Sequence, residues 1–170
     1  MQIEHYKDGT PCECEEMQRF RNDSGDICGE IPYVNGKKHG IVKSYYASGA
    51  LACETPYVKG KKHGTEKWYY ESWALEWETP YVKGKKHGTE KQYYESGTLA
   101  CETPYVNGKI HGTNKWFYET GGLKRAFPYV NGKIHGVTKE YYESGALVVM
   151  YTYNHGDSCP MNGYPIENFV

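Results

Sequence analysis

The sequence has no long apolar run and almost no net charge. Apolar residues make up only 38% of its 170 residues, and no segment approaches the roughly 20 consecutive apolar residues of a membrane-spanning helix. Residues 1–8 contain no apolar core of a secretion signal, so we expect a cytoplasmic location. The net charge of −1 excludes a globally basic nucleic-acid-binding protein, and no nucleic-acid partner is predicted.

Signatures of catalysis are also missing. There is no Gly-x-Ser-x-Gly nucleophile sequence, and Gly-Lys occurs only in predicted turns, not in a phosphate-binding loop. We therefore predict a protein that is not an enzyme and that has no cofactor and no metal site.

Six cysteines are present, and their spacing argues against a disulfide framework. Cys53 and Cys101 occupy the same repeat position two repeats apart, which places them about 19 Å apart at about 4.7 Å per strand. A disulfide requires Cα atoms within about 7 Å. Cys12 and Cys14 lack the Cys-x-x-Cys spacing of a metal or redox pair, and we predict free thiols.

What the sequence does contain is a repeat of 24 residues. Residues 54–67 and 78–91 are identical, and related segments continue in both directions. A fixed period of this length is typical of solenoids and repeat arrays. We assign residues 1–156 to one array, made of a degenerate N-terminal repeat or cap (1–30), five clear repeats (31–151) and a half repeat (152–156). Residues 157–170 are predicted to be a C-terminal cap or tail.

Each repeat contains two short segments of β character separated by turns. The turn Asn-Gly at 35–36, 107–108 and 131–132 strongly favours a β-hairpin, because both residues tolerate a positive φ. Recurrent Pro and Gly, and the lack of a 3.6-residue apolar period, argue against helices. We predict an all-β fold: an elongated single-sheet antiparallel meander, or open β-solenoid, of 24-residue hairpin repeats.

The segment Tyr-x-Asn-Gly-Lys-x-His-Gly, at 33–40 and 105–112, resembles the MORN repeat (membrane occupation and recognition nexus). The usual family sequence continues His-Gly-x-Gly, whereas here the second residue after the glycine is Val42, Glu66, Glu90, Asn114 or Thr138. That variant is similar to the bacterial second-type MORN proteins, including the YwqK-like antitoxin family. The resemblance implies hairpins stacked into a long grooved sheet, and a protein partner instead of catalysis.

The repeated histidines are better explained by structure than by metal binding. Successive copies are expected about 9–10 Å apart, whereas zinc ligands lie about 2 Å from the ion. Neighbouring histidines therefore cannot share a metal, and a role at the turn is predicted for His39, His63, His87, His111 and His135.

Charge is divided between the two sets of turns. Glutamates mark one set, at Glu71, Glu95, Glu119 and Glu143, whereas lysines cluster at the other. A lysine-rich edge suits anionic lipid or an acidic partner, although charge at turns also limits aggregation. The candidate residues for this edge are Lys37, Lys38, Lys61, Lys62, Lys85 and Lys86.

Positions at which the repeats differ are the best candidates for function, since the fold does not demand one residue there. The position before the aromatic pair is occupied in successive repeats by Ser44, Trp68, Gln92, Trp116 and Glu140. The second position after the repeated leucine is occupied by Cys53, Trp77, Cys101, Arg125 and Val149. Trp73 also replaces a turn glycine. We predict protein binding by Trp68, Trp73, Trp77, Trp116 and Arg125, the alternative being that these side chains cover a thin sheet.

Three functions remain open on this basis. The first is a non-enzymatic scaffold for protein–protein interaction, with an antitoxin or immunity role implied by the resemblance. The second is peripheral binding to anionic phospholipid through the lysine edge. The third is a choline- or glycan-binding aromatic module, suggested by Trp-Tyr-Tyr at 68–70. A homo-oligomer formed through the sheet edges is a further alternative that the sequence leaves open.

Overall fold

A computed structural model describes residues 16–155 and the backbone of 157–158. Every regular element in this part of the chain is a β-strand. The strands are β1 Glu16–Arg21, β2 Ile27–Val34, β3 Lys37–Lys38, β4 Gly40–Tyr45, β5 Leu51–Val58, β6 Lys61–Lys62, β7 Gly64–Tyr69, β8 Leu75–Val82, β9 Lys85–Lys86, β10 Gly88–Tyr93, β11 Leu99–Val106, β12 Lys109–Ile110, β13 Gly112–Phe117, β14 Leu123–Val130, β15 Lys133–Ile134, β16 Gly136–Tyr141, β17 Leu147–Asn154 and β18 Asp157–Ser158.

The strands pair in chain order to form one open antiparallel sheet. Each eight-residue strand, such as β5, pairs on one side with the preceding six-residue strand β4. On its other side β5 pairs with β6 at its end and with β7 near its middle. The same pattern returns every 24 residues, so the predicted all-β hairpin meander is confirmed. Among the described residues no helix is long and apolar enough to cross a membrane.

The two sets of turns differ in geometry. Asn35 and Gly36 both have positive φ, 51° and 67°, as the Asn-Gly sequence requires in a two-residue hairpin loop. The other loops are longer: the Gly49 amide donates to the Tyr46 carbonyl, and the Tyr46 amide donates to the Ala50 carbonyl. Gly49 has φ 84° in this loop, and the loop between β7 and β8 places Trp73 at the equivalent position with φ 71°.

The repeated proline and the His-Gly pair meet where the ladder is irregular. On the side of β5 that pairs with β6 and β7, Pro56 lies between the residues paired with β6 and those paired with β7. A backbone N–H is not needed there for a ladder hydrogen bond, so proline is tolerated. Gly64, the first residue of β7, lies beside Pro56 with φ 107°, and a Cβ at Gly64 would come within 3.0 Å of the Pro56 Cγ. Glycine is therefore required at this position by both sterics and backbone conformation.

Two tyrosine hydroxyl groups bind successive units together. The first residue of the aromatic pair reaches back in three units: Tyr45 donates to Glu30, Tyr69 to Glu54 and Tyr93 to Glu78, each at 2.9 Å. The second reaches forward, as when the Tyr46 hydroxyl donates to the Tyr69 carbonyl at 2.6 Å. Phe117 has no hydroxyl group, and there the Lys115 ammonium approaches Glu102 to 2.6 Å, closer than the 3.5 Å between Lys67 and Glu54. The aromatic pair is thus a clamp between neighbours.

Three of the repeated histidines take part in contacts between turns. Nδ1 of His63 accepts a hydrogen bond from the Lys83 amide, 3.4 Å away in the next turn, and His87 and His135 make the same contact one and three units later. No group of His, Cys, Asp or Glu in the described part of the chain could hold a metal ion.

Three cysteines lie in the described part of the chain, and all are free thiols: Cys28 is half-buried, and Cys53 and Cys101 are buried. Cys12, Cys14 and Cys159 lie outside the described residues, as do residues 1–15 of the predicted N-terminal cap and nearly all of the predicted C-terminal cap.

The tyrosine clamps predict a loss of stability at high pH. Burial raises the pKa of the Tyr45 and Tyr93 hydroxyl groups, and the hydrogen bond and charge of a glutamate raise it further, to about 12. The pKa of Tyr69 is raised for the same reasons. Because the pKa of these tyrosines is higher in the folded than in the unfolded chain, their hydrogen bonds contribute fully to the free energy of unfolding below about pH 10. This contribution is lost as the pH rises towards 12. Spectrophotometric titration should show a late-titrating tyrosine fraction that shrinks in Tyr45→Phe/Tyr93→Phe, whereas a single transition at the ordinary pKa would contradict the clamps.

Candidate interaction surface

The two positions that vary most between repeats form one continuous row across the sheet. Within a hairpin the two positions face each other, as Trp68 faces Trp77. Between hairpins they also face each other, as Cys53 faces Trp68 and Trp77 faces Gln92. The register therefore gives this order, which we name the variable row: Ser44, Cys53, Trp68, Trp77, Gln92, Cys101, Trp116, Arg125, Glu140, Val149.

A row of buried polar side chains lies beside the variable row on the same face, two residues after it on the eight-residue strands and two residues before it on the six-residue strands. The hydroxyl group of Thr55 donates to Glu66 at 2.9 Å, and that of Thr79 donates to Glu90 at 3.0 Å. In the next unit Asn114 replaces the glutamate and donates to Thr103 at 2.7 Å. These hydrogen bonds join adjacent hairpins beside the variable row.

The glutamates of this buried row are balanced by lysines. Lys62 Nζ lies 2.6 Å from Glu66, and Lys86 pairs with Glu90 in the same way. Burial lowers the pKa of Lys62, but the hydrogen bond and charge of Glu66 outweigh this, so its pKa is raised overall. In the next unit Ile110 stands at the position of Lys86, and the neutral Asn114 stands at the position of Glu90, so the cation and the anion are lost together.

Trp68 and Trp77 form the wall of a cleft in the middle of the sheet. The cleft has a volume of about 390 Å³, and Glu66, Trp68, Glu76, Trp77, Thr79, Tyr81 and Lys86 line it. Trp68 remains 44% exposed although it stands opposite another tryptophan. We call this feature the tryptophan cleft.

Two features of the same unit disfavour the fold. Trp73 occupies a left-handed turn position that is glycine in most units, and it is 65% exposed. The buried indole N–H of Trp77 has no acceptor among the described residues, whereas that of Trp116 donates to Asn114 at 2.9 Å. A left-handed residue other than glycine costs roughly 1–2 kcal/mol, and a buried unsatisfied donor about 1–3 kcal/mol.

The remaining predicted protein-binding residues lie further along the variable row. Trp116 is 43% exposed and faces Arg125, so this pair occupies the positions that Trp68 and Trp77 occupy two units earlier. Arg125 Nε lies 3.2 Å from Glu140. The structure thus brings four of the five predicted residues into one row, and it places Trp73 in a turn at its side.

The six lysines of the predicted basic edge divide into two groups. Lys38, Lys62 and Lys86 are half-buried, and each places its ammonium group over a tyrosine ring, at 5.3, 4.8 and 4.8 Å from the centroid. The other three are exposed and continue as a row of free-standing side chains at the hairpin tips: Lys37, Lys61, Lys85, Lys109 and Lys133.

Sequence reasoning missed the acidic and hydroxyl groups of the cleft. Glu66 and Thr79 looked like ordinary repeat residues, and Glu76 falls at the extra residue of a β-bulge that occurs in each hairpin. One signal was available: Glu76 is an alanine in the equivalent positions of two other units, Ala52 and Ala100.

Comparison with known families supports the repeat assignment. A family model described as a MORN repeat variant matches residues 38–59, 86–107, 110–131 and 134–155, which together make up just over half of the chain. The chain belongs to this MORN repeat family. The repeats of this family are described as a non-catalytic scaffold and generally form protein- or membrane-interaction modules. A search of the curated proteins finds no match.

The matched MORN segments leave out residues 60–85, the part of the array that contains Trp68, Trp73 and Trp77. This part nevertheless has the same strands and the same pairing as its neighbours. The tryptophan unit, residues 62–83, therefore keeps the MORN backbone while its side chains depart from the family pattern.

The strain at Trp73 is directly testable within this MORN array. We expect Trp73→Gly to raise the free energy of unfolding by about 0.5–1 kcal/mol, because relief of left-handed strain exceeds the entropy lost by glycine. The reciprocal change Gly97→Trp, at the same position of the next unit, should lower it by a similar amount. Denaturant unfolding of both variants measures this, and destabilisation by Trp73→Gly would show that Trp73 supports the fold.

Proposed function

We propose that this protein is a non-enzymatic scaffold that binds a protein partner in the cytoplasm through the tryptophan cleft and the adjoining part of the variable row. One observation carries the proposal: the tryptophan unit holds side chains that the repeat fold neither needs nor favours. Trp73 is strained and exposed, and the Trp77 N–H is unsatisfied. Residues that disfavour folding are expected where function requires them.

The composition of this surface suits a protein interface. Tryptophan and arginine are the residue types most enriched at binding hot spots, and four of them stand in one row, at Trp68, Trp77, Trp116 and Arg125. From Trp68 to Arg125 the row crosses five strand intervals, or about 24 Å, which matches one side of a protein interface of ordinary size. An antitoxin or immunity role, in which the partner is a toxin, is the form of this function that the family resemblance favours.

A separate observation supports a second candidate, binding to an anionic membrane surface. The exposed lysines of the hairpin tips, Lys37, Lys61, Lys85, Lys109 and Lys133, form a regular row at one edge of the sheet. Backbone hydrogen bonds hold the tips together, as when the Gly60 amide donates to the Lys38 carbonyl at 2.8 Å. Each lysine near an anionic leaflet contributes about 1 kcal/mol, so five would produce measurable, salt-sensitive binding.

The two candidates are separated by one set of variants. Tagged protein is incubated with lysate of its source cells, and bound proteins are identified by mass spectrometry. We expect one stoichiometric partner, retained by Lys37→Gln/Lys61→Gln/Lys85→Gln and by Tyr142→Ala, a control that removes an exposed aromatic residue elsewhere. The variant Trp68→Ala/Trp73→Gly/Trp77→Ala should lose this partner while keeping a cooperative unfolding transition.

The contrary result is equally clear. If the tryptophan variant retains the same partner with unchanged affinity, the cleft is not the binding surface. Co-sedimentation with phosphatidylserine vesicles that the lysine variant alone abolishes, and that rising salt weakens, would assign the function to the lysine row.

A further inference from the structure

We infer that the tryptophan cleft binds an arginine side chain of the protein partner, with the guanidinium group stacked on the indole rings and paired with Glu76. This inference rests on the proposed function and specifies the chemistry of the partner. Three independent features of the described residues lead to it: the charge inside the cleft, the way this face already holds its own cations, and the composition of the equivalent site two units away.

The charge of the cleft calls for a cation. Among its lining residues, Glu66 is neutralised by Lys62 at 2.6 Å, and Lys86 is neutralised by Glu90. Glu76 remains, and no ion pair is recorded for it among the described residues. The cleft is therefore left with one negative charge beside the rings of Trp68 and Trp77, whereas its third ring, that of Tyr81, already holds the Lys62 ammonium at 4.8 Å. Aromatic faces and a nearby carboxylate together attract a cation.

The same face of the sheet binds its own cations in this manner. Lys38, Lys62 and Lys86 each hold the ammonium group over the ring of a tyrosine in the next unit, Tyr57, Tyr81 and Tyr105. Lys86 also approaches the Trp77 ring, but at 6.0 Å, which is farther than its 4.8 Å contact with Tyr105. Trp68, the most exposed wall of the cleft, has no such cation from the described part of the chain.

The equivalent site two units later contains an arginine of its own. Trp116 stands at the position of Trp68, and Arg125 stands opposite it at the position of Trp77. Arg125 is held there by Glu140 at 3.2 Å, an arrangement of indole, guanidinium and carboxylate on one face. The tryptophan cleft provides the indole and carboxylate groups without the guanidinium group. A planar guanidinium stacks on aromatic faces and pairs with carboxylates better than an ammonium does, so arginine is favoured over lysine.

The test uses the four indole N–H signals of the ¹⁵N-labelled full chain, Trp68, Trp73, Trp77 and Trp116, which report on each site separately. The probes are N-acetyl-Gly-Arg-Gly-amide, the same peptide with the neutral isostere citrulline, and tetramethylammonium chloride. We expect saturable shifts of the Trp68 and Trp77 signals with the arginine peptide, and affinity for it at least about fivefold higher than for the citrulline peptide.

Two variants complete the design. Glu76→Gln preserves shape and should weaken binding of the arginine peptide by about fivefold or more, whereas Glu71→Gln, which removes an exposed glutamate from the turn of the same unit, should not. Trp68→Phe, which keeps an aromatic ring, should weaken binding less than Trp68→Ala.

Three results would overturn the inference. Equal affinity for the arginine and citrulline peptides would mean that charge plays no part, and tighter binding of tetramethylammonium would assign the cleft to a quaternary ammonium ligand. Binding of no probe would mean that the cleft takes no cationic side chain. None of these results affects the capture of a partner by the wild type and its loss in the tryptophan variant, so the proposed function stands or fails separately.

Discussion

The described array depends throughout on hydrogen bonds between neighbouring units, because a single-layered sheet has no second layer to pack against. Side chains supply what a hydrophobic core would otherwise supply. Thr55 and Glu66 join two hairpins on one face, and on the other the Tyr69 hydroxyl reaches back to Glu54. The hydrogen bond from the Tyr46 hydroxyl to the Tyr69 carbonyl joins successive units near the longer turns. The low apolar content and abundant tyrosine of the sequence follow from this requirement.

The same requirement explains what could be predicted from the sequence. A contact made by every unit must recur at every unit, so residues needed by the fold are visible as a period. The Asn35-Gly36 turn, the Pro56–Gly64 contact and the tyrosine pair all show this, and the hairpin meander could be derived from them. The role of His63 at a turn was likewise predictable, because recurrence beside a glycine indicates a constraint of the backbone.

The site was less accessible from the sequence, for a reason of geometry. The two variable positions were recognised separately, but only the register shows that they alternate along one row, as Cys53, Trp68 and Trp77 do. Spacing alone also could not distinguish Lys61, which is exposed, from Lys62, which turns to the other face and pairs with Glu66. Glu76 was missed because a bulge places it out of the simple alternation of the strand.

Because each unit contacts only the units beside it, the array behaves as a one-dimensional chain of interchangeable parts. The same fourteen-residue sequence occurs at the start and at the end of the tryptophan unit, at 54–67 and 78–91, so its two junctions are identical in sequence. Removal or duplication of residues 54–77, one whole period, would therefore leave the same residues on both sides of each junction. The number of tryptophan clefts along the sheet, and therefore the valency of the surface, is a quantity that evolution can change in single steps while the fold stays the same.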